Sequence, residues 1–185
     1  MITRKTFLKR FFGGIEERKV KKYQRQKMEK VLIALDYDPS AQKVAETGFS
    51  FSKAMKAEIV LLHVMADPQD YTLTEHVTIM GFSGQLDTSE VISEKTLDPK
   101  KLSMQFLDKS KLYLGDNRIQ TLLEEGDCAE AILNAAIKIS ADVIVMGSHS
   151  RKWFENTIMG TVTEKVLQNT TIPVLIIPTK KQSKS

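Results

Sequence analysis

The sequence VIVMGSHSRKWFENTIMGTVTEKV, from Val143 to Val166, decides the fold of this chain. It opens on an apolar run of the kind that forms a strand buried on both faces of a parallel sheet. A polar stretch follows, with Gly147 before it and Gly160 after it, and then a helical pattern. Because glycine permits close approach of the backbone, the segment predicts a strand, a loop suited to contact with another group, and a helix.

Apolar runs of strand length recur along the chain. They predict five strands, at KVLIALDYD (30–38), AEIVLLHV (57–64), RIQTLLEE (118–125), ADVIVMG (141–147) and IPVLIIP (172–178). The predicted helices lie between them, at Ala41 to Met55, from Asp98-Pro99 to Gly115, after the cap residue Asp127, and at TVTEKVLQN (161–169). This alternation predicts an α/β fold, with an open, doubly wound, mainly parallel five-stranded sheet and helices on both faces, of the Rossmann-like kind.

Length and charge limit the classes of function. The chain has 185 residues, enough for one sizeable core. Its first 30 residues carry 11 Lys and Arg against 3 Glu, whereas the remainder carries 16 basic and 20 acidic residues. An acidic body is a poor surface for nucleic acid, so we exclude DNA or RNA binding by the main domain. The single cysteine and the lack of a secretory or membrane-spanning pattern predict a cytoplasmic protein.

The predicted domain boundaries leave a basic extension at residues 1–28, one domain at 29–179 with an insertion at 65–97, and a short tail at 180–185. Three interpretations of the extension stay open. It is a basic amphipathic helix on a membrane surface, a disordered or weakly helical tail, or a segment outside the working protein, which then begins at Met28. The insertion contains glycines and apolar residues, and we predict that it folds over the ligand crevice or onto a partner subunit.

A ligand site is expected at the carboxyl ends of the strands, where the winding of the sheet reverses. Asp36 follows the first predicted strand, His63 and Val64 end the second, and Gly147 ends the fourth. The start of the last helix, at Gly160-Thr161, offers backbone N–H groups to an anion. The alternative interpretation treats Gly147 as a turn and the Thr161-x-x-Glu164 pattern as a helix-capping box. The two are compatible.

Five segments together resemble the universal stress protein family over residues 29–179. They are VIVMGSHS, MGTVTEKVL, IPVLIIP, KVLIALDYD and IVLLHV. The nucleotide-binding branch of that family carries the motif Gly-x2-Gly-x9-Gly-Ser/Thr, which here reads Gly147-x2-Ser150-x9-Gly160-Thr161. Serine replaces the second glycine, and its Cβ costs about 1 kcal/mol or more where a positive φ is needed. The resemblance implies an adenine nucleotide alpha hydrolase-like fold with ATP bound in the crevice.

The resemblance also implies a set of binding residues. Adenine and ribose would meet Asp36, the backbone of Ala34 and Leu35, and the main chain of Val64. Ribose and phosphates would meet Met146, Gly147, His149 and Ser150, and the phosphate cradle would be completed by Gly160, Thr161, Val162 and Thr163. Asp36 and Asp38 are candidates to hold Mg²⁺ with the nucleotide, although Asp38 before Pro39 also fits a turn or cap residue.

Other polar residues give weaker signals. Cys128 follows a helix cap, but no base accompanies it in sequence, so we interpret it as a packed thiol. His63, His76 and His149 lack metal-ligand spacing. Trp153 and Phe154 fit either a lid or partner contact or an aromatic tucked onto the domain. No phosphate-binding Gly-x4-Gly-Lys motif and no nucleophile elbow occurs, so no catalytic residue is assigned.

Three functions follow as hypotheses. The first is a nucleotide-binding regulatory module of the stress response, the second an ATP-consuming enzyme, either a slow hydrolase or a nucleotidyl or phosphoryl transferase, and the third a nucleotide-free dimeric adaptor. Self-association is expected in the first and third. The final strand is an exposed apolar edge between Pro173 and Pro178, and family members commonly dimerise through it. We therefore predict a homodimer built on Val174, Leu175, Ile176 and Ile177.

Overall fold

A computed structural model of the chain describes residues 28–66, 98–148 and 159–179. Several predictions lie outside these residues: those on the basic extension, on nearly all of the insertion, on the short C-terminal tail, and on the loop that contains His149, Ser150, Trp153 and Phe154. Within the described ranges, no helix is both long enough and apolar enough to cross a membrane.

The described residues form five strands and four helices in strict alternation. The strands are β1 (Lys30–Leu35), β2 (Glu58–Met65), β3 (Gln120–Glu125), β4 (Val143–Gly147) and β5 (Val174–Ile177). The helices are α1 (Ala41–Met55), α2 (Pro99–Leu114), α3 (Cys128–Lys138) and α4 (Thr161–Asn169). Each predicted strand and helix is therefore confirmed, with ends that shift by a few residues.

The strands form one sheet in the order β3-β2-β1-β4-β5. All four pairings are parallel, so the sheet that was predicted as mainly parallel is wholly parallel within the described residues. The chain places β2 and β3 on one side of β1, and it then crosses back to place β4 and β5 on the other side. The winding thus reverses between β1 and β4, which are neighbours in the middle of the sheet.

The helices cover both faces of the sheet and divide its core into two clusters. On one face, Val31 and Ile33 of β1 pack with residues of α1 and α2, among them Val44 and Phe106. On the other face, Leu32 packs with residues of α3 and α4. Side chains of a strand alternate between the faces, so β1 is buried on both sides, as its continuous apolar run predicts.

The helix ends follow local sequence signals. At the start of α2, the side chain of Asp98 accepts a hydrogen bond from the Lys100 amide, and Pro99 occupies the first turn, where a missing N–H costs nothing. At the start of α1, the N–H of Ser40 donates to the side chain of Asp38, and the N–H of Ala41 donates to the backbone carbonyl of Asp38. Asp38 is therefore a turn residue, and β1 ends at Leu35, so that Asp36 follows the strand as predicted.

Candidate functional site

A cleft opens at the point where the winding of the sheet reverses. β1 pairs with β4 only as far as Ile33 and Val145. Beyond that point β1 continues along β2 to the pair Leu35 and His63, while β4 continues along β5. The two central strands therefore separate at their carboxyl ends, and the space between them is the crevice in which open α/β sheets bind ligands.

The cleft contains about 710 Å³ of space free of protein atoms, part of it open to solvent. Its wall is mainly apolar, with Asp36 as the charged side chain among the described lining residues. Such a wall suits a ligand with a flat, weakly polar part and a few polar groups.

The structure brings most of the predicted site residues together. Those that line the cleft are Ala34, Leu35, Asp36, Val64, Met146, Gly147, Gly160, Val162 and Thr163. Thr161 is exposed and outside the lining, although its backbone belongs to the first turn of α4. His149 and Ser150 lie outside the described residues. The predicted positions that the structure describes thus gather around one cleft, apart from the side chain of Thr161.

His63 is not in the cleft, which corrects the expectation that it ends β2 beside Val64. β2 continues to Met65, so both residues lie within the strand and point to opposite faces. The imidazole of His63 is buried on the α1/α2 side, against the rings of Tyr37 and Phe106. Of these two residues, only Val64 lines the cleft.

Sequence reasoning missed several residues of the cleft wall. They are Ser40, Ala41 and Val44 of the α1 start, Leu62 of β2, and Cys128 and Ile132 of α3. Two signals were available: Leu62 shares a strand face with Val64, and Cys128 and Ile132 stand four residues apart on one helix face. Cys128 is half-buried at the first position of α3, so this thiol forms part of the cleft wall.

The start of α4 faces the cleft without a capping side chain. Gly160 is the N-cap residue, so the cap position itself supplies no side-chain hydrogen bond to the first turn. Thr161 is already helical, so the expected Thr161-x-x-Glu164 capping box is not formed. Gly160 has φ −70° and ψ 150°, a conformation open to any residue, and the described glycines with positive φ are Gly115 and Gly126. Neither Gly147 nor Gly160 therefore has a backbone conformation that other residues avoid.

Hydrogen bonds connect Ser148 and Gly160, which lie on either side of residues 149–158, to each other and to β5. The Gly160 N–H donates to the Ser148 carbonyl at 2.8 Å, and the Ser148 N–H donates to the Ile177 carbonyl at 2.9 Å. The hydroxyl of Thr163, a buried residue, donates to the Gly147 carbonyl at 3.0 Å. These bonds attach α4 to the ends of β4 and β5, so the cleft wall at this point is fixed from both sides.

Thr163→Val should destabilise the fold, because an isosteric methyl replaces the donor to the Gly147 carbonyl. We expect a loss of about 1 kcal/mol in the free energy of unfolding, measured by urea titration. Thr161→Val, the same change at an exposed position two residues earlier, is the control and should stay within about 0.5 kcal/mol of the parent. Equal stabilities of the two variants would contradict the role of the Thr163 hydroxyl.

The start of α3 carries a charged cap beside the cleft. The carboxylate of Asp127 accepts hydrogen bonds from the Ala129 and Glu130 amides at 3.0 and 3.1 Å. Lys165 of α4 donates to the same carboxylate at 3.2 Å. These contacts, the Glu130 amide above all, lower the pKa of Asp127 below its ordinary value. Asp127 thus joins α3 to α4 behind the cleft wall, which confirms it as the predicted cap.

Asp127→Ala should lower the free energy of unfolding by about 1 kcal/mol at pH 7, because α3 loses its cap. Asp127→Asn keeps a capping oxygen without the charge, so it serves as the matched control and should lose about 0.5 kcal/mol or less. Because the folded-state pKa of Asp127 is lowered, the advantage of the parent over the Asn variant is complete above the unfolded-state pKa of about 3.9 and declines as the pH falls below it. Denaturant titrations at pH 7, 5 and 3 measure this; a constant difference would contradict it.

Asp36 and Asp38, the candidate Mg²⁺ residues, have different environments. Asp36 lines the cleft, and its carboxylate accepts the Asp38 N–H at 3.2 Å. Asp38 is outside the lining and caps the turn before α1. Within the described ranges, no group of three or more His, Cys, Asp or Glu side chains is arranged to hold a metal ion.

The described residues thus form an α/β protein with a cleft at the switch point of its sheet. The chain matches the universal stress protein family over residues 27–178, and it belongs to that family. Universal stress protein YxiE of Bacillus subtilis is 28% identical over 151 residues, which cover 80% of this chain and 97% of the relative.

Solved structures share the fold. The structure of the hypothetical protein MJ0577 of Methanocaldococcus jannaschii aligns with a TM-score of 0.61 and 21% identity, over 85% of this chain and 99% of that one. A universal stress protein solved in complex with cAMP aligns with a TM-score of 0.53 and 16% identity, over 82% of this chain and 98% of that one. At these identities the likeness concerns the fold.

Proposed function

We propose that this protein is a nucleotide-binding regulatory module of the stress response, which binds ATP in the switch-point cleft and acts as a cytoplasmic homodimer. The observation that carries the proposal is the start of α4, which faces the crevice between β1 and β4 with no capping side chain. Its first N–H groups suit the phosphates of a nucleotide. A structural neighbour in complex with cAMP supports an adenine nucleotide as the ligand class.

The chemistry of the wall fits such a ligand in three parts. Leu62, Val64, Ile132 and Met146 offer an apolar surface to a base. The carboxylate of Asp36 can accept hydrogen bonds from ribose hydroxyls. The phosphates would lie at Gly160 and the first turn of α4, where a glycine leaves room for them.

The charge of the cleft wall predicts how the affinity for a nucleotide depends on its number of phosphates. Asp36 is the charged side chain among the described lining residues, so backbone N–H groups and an accompanying Mg²⁺ would meet the charge of ATP. A ligand with a single phosphate, such as cAMP, needs less compensation. ATP should therefore gain affinity from Mg²⁺ and cAMP should not.

Isothermal titration of the full chain with ATP, ADP, cAMP and GTP, each with and without Mg²⁺, tests the proposal. We expect ATP to bind with one site per chain and to be recovered intact by chromatography after incubation. Turnover beyond one equivalent would instead identify an ATP-consuming enzyme. If no nucleotide binds, the proposal is wrong and a nucleotide-free dimeric adaptor takes its place.

A further inference from the structure

His63 is a buried polar residue that makes a specific contact behind the cleft. Its Nδ1 lies 2.8 Å from the carbonyl oxygen of Leu35, and the residue is 3% exposed. A carbonyl oxygen can only accept, so Nδ1 carries the hydrogen and donates it. This fixes the tautomer of the imidazole and aims it at the last residue of β1.

The ring of His63 is held in this orientation by its neighbours. The Tyr37 ring lies 4.3 Å from it and the Phe106 ring 5.3 Å, centroid to centroid. The hydroxyl of Tyr37 is in turn hydrogen-bonded to that of Ser103 at 2.6 Å. The three rings thus form a packed group between the sheet and α2, and His63 has little freedom to turn away from Leu35.

Leu35 stands where β1 has lost one of its two neighbours. The pairing of β1 with β4 ends at Ile33, so Leu35 is held by β2 alone, at the register position of His63 itself. Leu35 and Asp36 both line the cleft. The position of the Leu35 carbonyl therefore decides where this cleft wall runs.

We propose that His63 is a positioning residue of the ligand site, whose Nδ1–H holds the end of β1 against β2 and so keeps the crevice between β1 and β4 open. The inference rests on the proposed nucleotide function. His63 acts from the opposite face of the sheet, through the backbone of Leu35 and Asp36, and does not touch the ligand.

Two substitutions at His63, whose new side chains have the same shape as each other, distinguish a positioning role of His63 from a packing role. In His63→Asn the amide Nδ2 takes the place of Nδ1 and can still donate to Leu35, whereas His63→Leu has the same branched shape without a donor. We expect the Leu variant to bind ATP about tenfold more weakly than the parent, and the Asn variant to stay within about threefold. The buried amide oxygen of Asn should make that variant less stable than the Leu variant, so affinity and stability should rank in opposite orders.

Ser103→Ala is the control for damage to the ring group, because it removes the partner of Tyr37 without touching Leu35. It should lower the melting temperature and leave the affinity for ATP unchanged. Equal affinities of the Leu variant and the parent, or an equal loss in the Leu and Asn variants, would overturn the inference. His63→Phe, which keeps a ring and lacks the donor, replaces the Leu variant if that one does not fold.

Amide hydrogen exchange of the peptide covering residues 30–38 gives a second measurement that needs no ligand. We expect exchange at the end of β1 to be about tenfold faster in the Leu variant than in the parent and the Asn variant. If the parent binds no nucleotide, the proposed function fails, and exchange alone decides the role of His63. Unchanged exchange in the Leu variant would then overturn it.

Discussion

Gly160→Val should abolish ATP binding while leaving the protein folded. The backbone at Gly160 has φ −70° and ψ 150°, which valine adopts readily, so the substitution introduces no backbone strain. Its branched side chain would instead fill the space at the start of α4 in which we place the phosphates. Crowding of this kind costs about 3 kcal/mol, and the dissociation constant should rise by more than about a hundredfold.

The matched control is Gln168→Val, which places the same side chain near the other end of α4. Gln168 is exposed and outside the cleft lining, so the affinity of this variant for ATP should equal that of the parent. Circular dichroism checks that both variants are folded, and isothermal titration compares their affinities. A Gly160→Val variant that is folded and binds ATP like the parent would remove the phosphate site from the start of α4.

The fold could be predicted because its signals are local. Asp98-Pro99, Gly115 and Asp127 mark helix ends through short-range hydrogen bonds and backbone preferences, and the structure has helix ends at each of them. Three of the strands, β1, β2 and β4, are apolar on both faces, a pattern typical of a covered parallel sheet.

The cleft could be predicted in part. The end of a parallel strand can be placed from the sequence, which is why Asp36, Val64 and Gly147 gather at one point. Helix residues such as Cys128 and Ile132 depend on how each helix rotates over the sheet, and that is set by packing. The position of His63 could have been predicted, because side chains alternate along a strand and His63 therefore lies on the face opposite Val64.

The backbone of the two motif glycines could not be predicted. A glycine at a strand end suggests a conformation closed to other residues, yet Gly147 remains an ordinary strand residue paired with Ile177. A sequence pattern does not distinguish a glycine needed for its backbone from one needed for its small volume. The same distinction applies to the serine at position 150, where only a positive φ would make the side chain costly.

The outer edge of β5 is the surface on which we base the proposed homodimer. β5 ends the strand order, and within the described residues its other edge has no strand beside it. Val174, Leu175 and Ile176 are half-buried in the single chain. Apolar edge strands tend to pair with another chain, and a twofold axis would bring two copies of this edge together.

Ile176→Lys should convert the homodimer into a monomer. A twofold interface contains residue 176 of both subunits, so the substitution brings two ammonium groups together among apolar side chains. The cost is about 3 kcal/mol or more, which raises the dimer dissociation constant by more than about a hundredfold. Ile137→Lys makes the same chemical change at a residue of α3 that is 69% exposed, and it should leave the dimer intact. Sedimentation equilibrium of the full-length parent and both variants at tens of micromolar (about 10–50 µM, which spans typical dissociation constants of weak dimers) distinguishes the outcomes. A monomeric parent would refute the homodimer, and an undiminished dimer of Ile176→Lys would move the interface away from β5.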